Sequence, residues 1–451
     1  MGVVRLPAGI HENVHKHLFS GVGEHFAFLH ARTSSSLGAP IFLVRKATLV
    51  PDECVTLGWD GYEIDSDLLL DVVNDAVRSG DALVEAHNHG GLPPRFSRLD
   101  RVELREFVSY ALDSLPGRPY AATVWGEHAV YGEWYMDGRC GPLRSITSVG
   151  RQFLQVVSRD NDVAPLADTF DRQLAWFTEE GQRRLGKIRV GIVGLGGTGS
   201  HLALNLPFLG VRDFLLVDPD ESDLTSMNRL VTATAADVAT AKVIIARRTI
   251  KSIAPDAAVA ILPRDLRNRE ALVALKGVDV LFGCFDNDGA RLILNELAVA
   301  YGIPYFDLAT GIDAETGQVV EVGGRLAVVL PGGPCLLCMN EIDREEAAFV
   351  LSTPEQQAAA RERGYVRGMP VRAPAVVSLN GAIAMAAVNE LATFVSGLRI
   401  PHPMTILDLL GIDRPLRSQW LTPSRVSRDP GCVHCAAAWS GDATDVERYA
   451  C

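Results

Sequence analysis

The sequence predicts an α/β protein whose larger part is a doubly wound, Rossmann-like sheet. Residues 188–193 form a short apolar segment that runs directly into a glycine-rich turn, Gly194 to Ser200. This order predicts a strand, a tight turn and a helix whose first backbone amides face an anion. Two further apolar segments, residues 214–217 and 278–284, are each followed within two residues by an aspartate. Aspartates in those positions are typical of strand ends that line a ligand crevice.

Composition limits the class of protein. The chain has 451 residues, of which 47% are hydrophobic, so it is long enough for two or three domains. Its formal net charge of −12 argues against a general nucleic-acid binder. The N-terminus lacks the apolar core of a signal peptide, and the longest uncharged run, residues 373–389, is too short to span a bilayer. We therefore expect a cytoplasmic protein with no nucleic-acid and no membrane partner.

The domain boundary is predicted from a change to mixed, polar composition, with Ser-Arg-Asp-Asn-Asp at residues 158–162. We assign residues 1–145 to a first domain, residues 146–168 to a linker and residues 169–451 to a second domain.

A metal site is predicted in the first domain. His87 and His89 are two residues apart after an apolar segment, so on an extended chain both imidazoles point the same way and can reach one metal. Asp100 follows a turn and can supply the third ligand, which leaves a fourth position for water. The alternative is a pair of surface histidines beside a proline turn.

This arrangement resembles the JAMM motif of the JAB/MPN metalloprotease family, over roughly the first 145 residues. The resemblance implies an α/β fold with a catalytic Zn²⁺, and hydrolysis of the peptide or isopeptide bond after the C-terminal glycine of ubiquitin-like proteins. It makes Glu24 the general base and Ser97 the group that helps to hold the oxyanion. The sequence departs from the family in Asn88 between the histidines, and in Gly90 and Gly91 where a proline is common. Neither change removes a ligand.

A nucleotide site is predicted in the second domain. Its glycine turn contributes Gly194, Gly196, Gly197 and Gly199. Six polar side chains follow in chain order: Asp218, Asn228, Arg229, Lys242, Asp286 and Asn287. A carboxylate at Asp218 suits ribose hydroxyls, which an NAD enzyme and an adenylate-forming enzyme both present. The two cations suit a polyphosphate, and Asp286 can hold Mg²⁺ against it. Each of these residues alone could instead be a solvated surface charge or a loop cap.

From Asp171 onward, over about 270 residues, the chain resembles the ThiF family of ubiquitin-activating-type adenylyltransferases. The glycine turn, the six polar side chains and Arg172-Gln173 carry the resemblance. It implies adenylation by ATP and Mg²⁺ of the C-terminal carboxylate of a small ubiquitin-like or sulfur-carrier protein that ends in glycine. Similar proteins are homodimers in which the early arginine, here Arg172, reaches the partner's nucleotide. Ser226 stands where an asparagine is usual.

Two Cys-x-x-Cys pairs predict a structural Zn²⁺ site. Cys335 and Cys338 form the first pair, and Cys432 and Cys435 form the second. Four thiolates make a closed tetrahedral site with no position for substrate. A redox pair or buried free thiols are the alternative.

A thioester cysteine is missing from the region where the resembling enzymes carry it, residues 339–395. Four cysteines remain outside the two pairs: Cys54, Cys140, Cys284 and Cys451. We therefore expect adenylation without a conventional enzyme thioester, although Cys451 at the chain end could serve.

These interpretations together predict a bifunctional enzyme, a JAMM-type zinc peptidase fused to a ThiF-like adenylyltransferase. A non-catalytic scaffold that binds ubiquitin-like tails and an NAD-dependent oxidoreductase are the alternatives. The final acceptor of the activated tail, an amine or a sulfur donor, stays open.

Overall fold

The computed structural model describes ten stretches of the chain: residues 2–57, 62–89, 93–127, 129–150, 153–156, 166–315, 318–362, 375–410, 417–421 and 426–451. Gly90, Gly91 and most of the predicted linker's second half, residues 157–165, lie outside them. The chain divides into two compact units. The first is Met1–Pro165 with Trp439–Thr444, and the second is Leu166–Ala438 with Asp445–Cys451.

The first unit is built on one large sheet with helices. Its strands are β1 (Gly2–Pro7), β2 (Phe26–Ser36), β3 (Ala39–Leu49), β4 (Val55–Leu57), β5 (Tyr62–Ile64), β6 (Ala82–Asn88), β7 (Tyr120–Trp125), β8 (Val130–Met136), β9 (Arg139–Val149) and β10 (Phe153–Val156). Its helices are α1 (Ala8–Leu18), α2 (Ser66–Ser79) and α3 (Arg98–Ser114).

The strand order of this sheet is β1-β3-β2-β6-β7-β8-β9-β10, and β1 also pairs with β9. The sheet is therefore closed on itself through β1, while β4 and β5 form a separate hairpin. The end of β9 and the whole of β10 fall within residues 146–168, so the sheet continues into the span predicted as a linker.

Alternation along the strands produces two apolar cores, one on each face of the sheet. In β2, Ala27 and Leu29 join the core that includes Val14 of α1. Phe26 and Phe28 join the other core, which includes Val72 of α2 and Leu104 of α3. The helices thus cover opposite faces.

The second unit is a doubly wound sheet with an antiparallel extension. Its strands are β11 (Arg189–Val193), β12 (Asp213–Val217), β13 (Ala258–Leu262), β14 (Val280–Gly283), β15 (Tyr305–Glu315), β16 (Gln318–Val329), β17 (Met404–Asp408) and β18 (Arg417–Leu421). Its helices are α4 (Leu174–Lys187), α5 (Gly197–Leu209), α6 (Lys242–Ile253), α7 (Arg269–Leu275), α8 (Asp288–Tyr301), α9 (Arg344–Leu351), α10 (Pro354–Glu362), α11 (Val377–Val395) and α12 (Val433–Ala436).

The strand order is β13-β12-β11-β14-β15-β16-β17-β18. The pairs among β11 to β15 are parallel, whereas β15 to β18 pair antiparallel. The direction of winding reverses between β11 and β14, which places a ligand crevice at the carboxyl ends of those two strands. The predicted α/β, Rossmann-like fold of this part of the chain is confirmed, and β11, β12 and β14 are the three predicted strands.

Helix α11 is long and apolar enough, by length and composition, to cross a membrane. Within this helix, 61% of the apolar 18-residue stretch is nevertheless buried inside the protein. It packs against α5 and against β15 and β16, so it has the contacts of a core helix.

The glycine turn predicts a sharp effect of one substitution on stability. Gly194 has φ +88°, and a Cβ there would lie 2.4 Å from the carbonyl oxygen of Cys284. Gly194→Ala should therefore lower the free energy of unfolding by about 2–3 kcal/mol, measured by urea denaturation.

The matched control is Gly186→Ala in α4, where the nearest atom to a new Cβ is 3.7 Å away. This change should leave stability unaltered or raise it by up to about 1 kcal/mol. Equal stability of the two variants would contradict the strained geometry at Gly194.

Candidate functional sites

The second unit contains a cleft of about 1840 Å³ at the carboxyl ends of its central strands. The structure places nine of the predicted nucleotide-site residues along its walls: Gly194, Gly196, Gly197, Asp218, Asn228, Arg229, Lys242, Asp286 and Asn287. Gly199 lies behind the turn, where a Cβ would come within 2.0 Å of the carbonyl oxygen of Gly194. Its small size therefore permits the turn to pack tightly.

The turn is held by backbone contacts to the neighbouring strand. Gly194 N donates to Val217 O at 2.9 Å, and Leu195 N donates to Asp218 Oδ2 at 2.5 Å. Helix α5 then begins at Gly197 without a side-chain cap. The first amides of a helix lack acceptors within the helix and carry its positive dipole end, so this turn can receive a phosphate.

Asp218 is 4% exposed and has a second role beyond the predicted ribose contact. Besides Leu195 N, its carboxylate accepts a hydrogen bond from Asp220 N at 2.8 Å. Burial raises the pKa of Asp218, against the opposing effect of Lys242. Asp218 thus holds both the glycine turn and the segment that follows β12.

The two predicted cations are both tethered at the cleft. Lys242 Nζ lies 2.7 Å from Asp220 Oδ2 and 3.9 Å from Asp218 Oδ1. Arg229 Nη1 donates to Thr225 O at 2.7 Å and to Asn228 Oδ1 at 3.2 Å. Both positive charges are therefore held in place by local contacts, in the cleft where a polyphosphate would bind.

The end of β14 carries the predicted magnesium ligand. Asp286 is exposed at the cleft, which leaves its carboxylate accessible to a hydrated ion. Asn287 caps α8, since its side chain accepts from Ala290 N at 2.9 Å. Arg291 is turned inward, with Nη1 2.5 Å from Asp288 Oδ1 and Nε 3.5 Å from Asp307 Oδ2.

Arg172 lies in a 3₁₀ helix, Asp168–Gln173, and is exposed. It is not among the residues that line the cleft of its own chain. The structure therefore does not bring Arg172 together with the other predicted nucleotide ligands within one protomer.

In the first unit, the three predicted metal ligands converge. His87 Nε2 lies 3.8 Å from Asp100 Oδ1, and His89 Nε2 lies 3.1 Å from Asp100 Oδ2. The three ligand atoms lie within 4.8 Å of one another. Both histidine Nε2 atoms are buried, and neither makes a hydrogen bond of normal geometry to the described residues. Two orphaned acceptors beside a carboxylate fit a Zn²⁺ ion.

Charge around this cluster is strongly negative. Burial alone would lower the pKa of His87, but Asp100 and Glu85 outweigh it and raise that pKa to about 9. Against its burial, contacts with His87 and His89 hold the pKa of Asp100 well below its usual range. The cluster therefore attracts a cation, either a proton or a metal.

Glu85 is a member of this site that the sequence analysis did not identify. It is 5% exposed, and its Oε1 lies 3.2 Å from His87 Nδ1. Tyr120 donates to the other carboxylate oxygen at 2.5 Å. A carboxylate that accepts from Nδ1–H leaves Nε2 free to bind metal. Its signal in the sequence is the spacing of two residues from His87 on one strand face.

Glu24 lies in the bend before β2 rather than within a strand. In the β2–β6 pairing Phe26 is opposite His87, so Glu24 lies two residues before the position beside that ligand. After burial, the charges of Asp100, Glu85 and Glu24 raise the pKa of Glu103. Glu24 thus contributes to the negative charge that acts on Glu103 together with Asp100 and Glu85.

Ser97 has a structural role in addition to the predicted contact with an oxyanion. It is the N-cap of α3, where its Oγ accepts from Asp100 N at 3.1 Å. Its own N–H donates to Asp100 Oδ2 at 2.5 Å, which completes a capping box. The Ser-x-x-Asp spacing therefore also orients the ligand Asp100.

The four paired cysteines also converge. Cys335 Sγ lies 3.8 Å from Cys338 Sγ and 3.5 Å from Cys432 Sγ, and the Cys338–Cys435 distance is 3.5 Å. Tetrahedral zinc with Zn–S bonds of about 2.3 Å requires sulfur atoms about 3.8 Å apart. The backbone N–H of Asp429 also donates to Cys338 Sγ, as at a thiolate. This geometry fits a structural Zn²⁺.

Cys284 is at the end of β14 and lines the cleft, but it is poorly suited to form a thioester. Burial raises the pKa of its thiol to about 12. The thiol is therefore protonated near neutral pH and is a weak nucleophile.

Comparison with known proteins identifies the second part of the chain. The model of the ThiF family matches residues 170–433. The chain belongs to the ThiF family.

Three curated relatives are similar at low identity. A "Protein HesA" of Leptolyngbya boryana is 28% identical over 270 residues, which cover 59% of this chain and 84% of that protein. The "SAMP-activating enzyme E1" of Haloferax volcanii is 29% identical over 160 residues, 36% of this chain and 56% of that protein. The "Sulfur carrier protein ThiS adenylyltransferase" of Escherichia coli is 30% identical over 152 residues, 34% of this chain and 57% of that protein.

Among solved structures, Escherichia coli MccB with ATP is 18% identical with a TM-score of 0.46, over 60% of this chain and 75% of that chain. The family match begins at residue 170, so the JAB/MPN resemblance of the first unit stays a prediction.

Glu85 should tune metal affinity. Glu85→Gln removes the charge that orients His87 while it keeps the volume of the side chain. The dissociation constant of Zn²⁺ at the histidine site should rise by about 10–100-fold, measured by competition with a chromophoric chelator.

Glu63→Gln, an exposed substitution on β5, is the matched control and should leave zinc affinity unchanged. Equal zinc affinity in the Glu85 variant and the control would show that Glu85 does not support the metal ligand.

Proposed function

We propose that the second unit adenylates the C-terminal carboxylate of a small ubiquitin-like or sulfur-carrier protein that ends in glycine, with ATP and Mg²⁺. The supporting observation is the cleft, which is lined by the uncapped start of α5 together with Asp218, Lys242 and Asp286. Amides, cations and a magnesium carboxylate are the groups that a nucleoside triphosphate requires.

In the proposed step, a carboxylate oxygen of the tail attacks the α-phosphorus of ATP. The bond from that phosphorus to the β-phosphate oxygen breaks, and pyrophosphate leaves with the electron pair. Arg229 and Lys242 stabilise the charge that accumulates on the phosphates, while the amides at the start of α5 orient them. Asp286 would hold the Mg²⁺ that neutralises the leaving group.

The class of partner is supported by the names of the relatives. One of them is named as a SAMP-activating enzyme and another as an adenylyltransferase of the sulfur carrier protein ThiS. The chain covers 56% and 57% of those proteins, and we extend only the shared adenylation step to it. The activated tail then passes to an amine or to a sulfur donor without a thioester on Cys284.

A homodimer would complete the site. Arg172 is exposed and absent from the lining of its own cleft. We propose that it contacts the phosphates bound by a second copy of the chain.

Pyrophosphate exchange tests the adenylation. Purified protein with ATP, Mg²⁺ and a small protein ending in Gly-Gly should incorporate labelled pyrophosphate into ATP. Asp286→Ala should reduce the exchange by about 100-fold or more, because the ion that shields the phosphates is lost.

Asp256→Ala, an exposed aspartate that precedes β13 at the amino-terminal edge of the sheet, is the matched control and should exchange normally. ATP binding without exchange for every Gly-Gly protein tested would favour a non-catalytic scaffold. Binding of NAD in place of ATP would favour the oxidoreductase alternative.

We propose a second activity for the first unit, hydrolysis of the peptide or isopeptide bond after the terminal glycine of the same partner. It is supported by the orphaned Nε2 atoms of His87 and His89 beside Asp100, with Glu24 two residues before Phe26, which pairs with His87. A Zn²⁺ held there would supply a water of lowered pKa and polarise the scissile carbonyl. Glu24 would accept the proton of that water and return it to the amine as the C–N bond breaks, while Ser97 Oγ would donate to the oxyanion.

Tail cleavage tests this second activity. A ubiquitin-like protein extended beyond its Gly-Gly end should be trimmed by the zinc-loaded chain, as followed by intact mass spectrometry. Glu24→Gln should lower kcat by about 100-fold or more with zinc content unchanged, because the general base is lost.

Glu12→Gln, exposed on α1, should cleave at the normal rate. Undiminished cleavage by the Glu24 variant would remove Glu24 from the mechanism.

A further inference from the structure

Asn88 lies between the two histidines of the metal-ligand set and is 1% exposed. It is the last residue of β6, and alternation along the strand turns its side chain away from the face that carries His87. Asn88 is therefore buried next to the metal-ligand residues, but its side chain does not point to the face on which His87 would bind a metal.

The side-chain amide of Asn88 is hydrogen-bonded at both ends to one short segment. Its Oδ1 accepts from His25 N at 2.7 Å, and its Nδ2 donates to Gly23 O at 3.3 Å. These two backbone groups flank Glu24. Asparagine is suited to this contact, because one side chain offers both an acceptor and a donor.

The segment is also held on its far side by His25, whose Nδ1 lies 2.9 Å from Asp52 Oδ1. Gly21 and Gly23 bracket Val22, which is fully exposed, and Gly23 has φ +120°. Glycines lose much conformational entropy when they are ordered, so a loop of this composition needs an external restraint. The Asn88 amide, on the strand that carries His87, supplies such a restraint to the backbone on both sides of Glu24.

We propose that Asn88 is a positioning residue that fixes Glu24 for proton transfer at the metal site, an inference that rests on the peptidase activity proposed above. A general base must lie within hydrogen-bond reach of the proton it accepts, and a displacement of about 1 Å can cost about 100-fold in rate. The bridge from Asn88 couples the backbone at Glu24 to β6, the strand that carries His87.

The test is a double-mutant cycle between Asn88→Ala and Glu24→Gln in the full-length, zinc-loaded chain. Asn88→Ala should lower kcat for tail cleavage by about 10–100-fold, with KM and zinc content unchanged. In the Glu24→Gln background, Asn88→Ala should cause no further loss. The control Asn74→Ala, exposed on α2, should behave as the unmodified chain.

Hydrogen exchange supplies a readout that does not need activity. The backbone amide of His25 should exchange faster in Asn88→Ala, measured by mass spectrometry on a peptide covering residues 20–26. If the alanine variant does not fold, Asn88→Asp serves in its place. It keeps the acceptor for His25 but loses the donor to Gly23, so exchange at His25 should stay slow while kcat falls.

Three results would overturn the proposal: normal kcat in Asn88→Ala, an equal further loss in the Glu24→Gln background, or unchanged exchange at His25. If the unmodified chain cleaves no tail, the proposed peptidase fails separately, and the Co²⁺-loaded protein decides. The pH at which its visible spectrum changes should then shift equally in Asn88→Ala and Glu24→Gln. A shift in the Glu24 variant alone would overturn the role of Asn88.

Discussion

The approach of the Gly194 turn to the carbonyl of Cys284 is the constraint on which the second unit depends. It brings the end of β11 against the end of β14, at the point where the sheet changes its direction of winding. Asp218 secures the same turn from the other side through Leu195 N. Because the turn is fixed between two strands, the start of α5 is held in place. The polar side chains that follow β12 and β14 line the same cleft as the start of this helix.

The strand–turn–helix order was predictable because it is local. Residues 188–193 were predicted as a strand and β11 spans Arg189–Val193, while the glycines place the start of α5. The antiparallel extension from β15 to β18 was not predicted, since it depends on pairings between distant segments such as Gly323 with Asp408. For the same reason β10 was read as linker, although it pairs with β9. Polar composition does not reveal a partner strand.

The sequence predicts the residues that can bind a metal or a phosphate better than it predicts the residues that hold those ligands in place. Histidine and cysteine spacing and the order of charged residues name the groups that can meet a metal or a phosphate. Asp220 beside Lys242, and Asp307 beside Arg291, are neighbours only in three dimensions. The spacing of Ser97 and Asp100 has a second role that the sequence analysis did not identify, because the two residues also form the N-terminal cap of α3. The roles assigned to these residues in catalysis stay predictions.

The pairing of β1 with both β3 and β9 has a consequence for behaviour in solution. An open sheet exposes the N–H and C=O groups of its outer strands, and these can pair with another chain and start aggregation. Closure of the ring through β1 pairs such groups internally, on one side with β3 and on the other with β9. The short strand β10, paired with β9, is last in the strand order of the described part of this sheet, and a strand of four residues offers little template for edge-to-edge association.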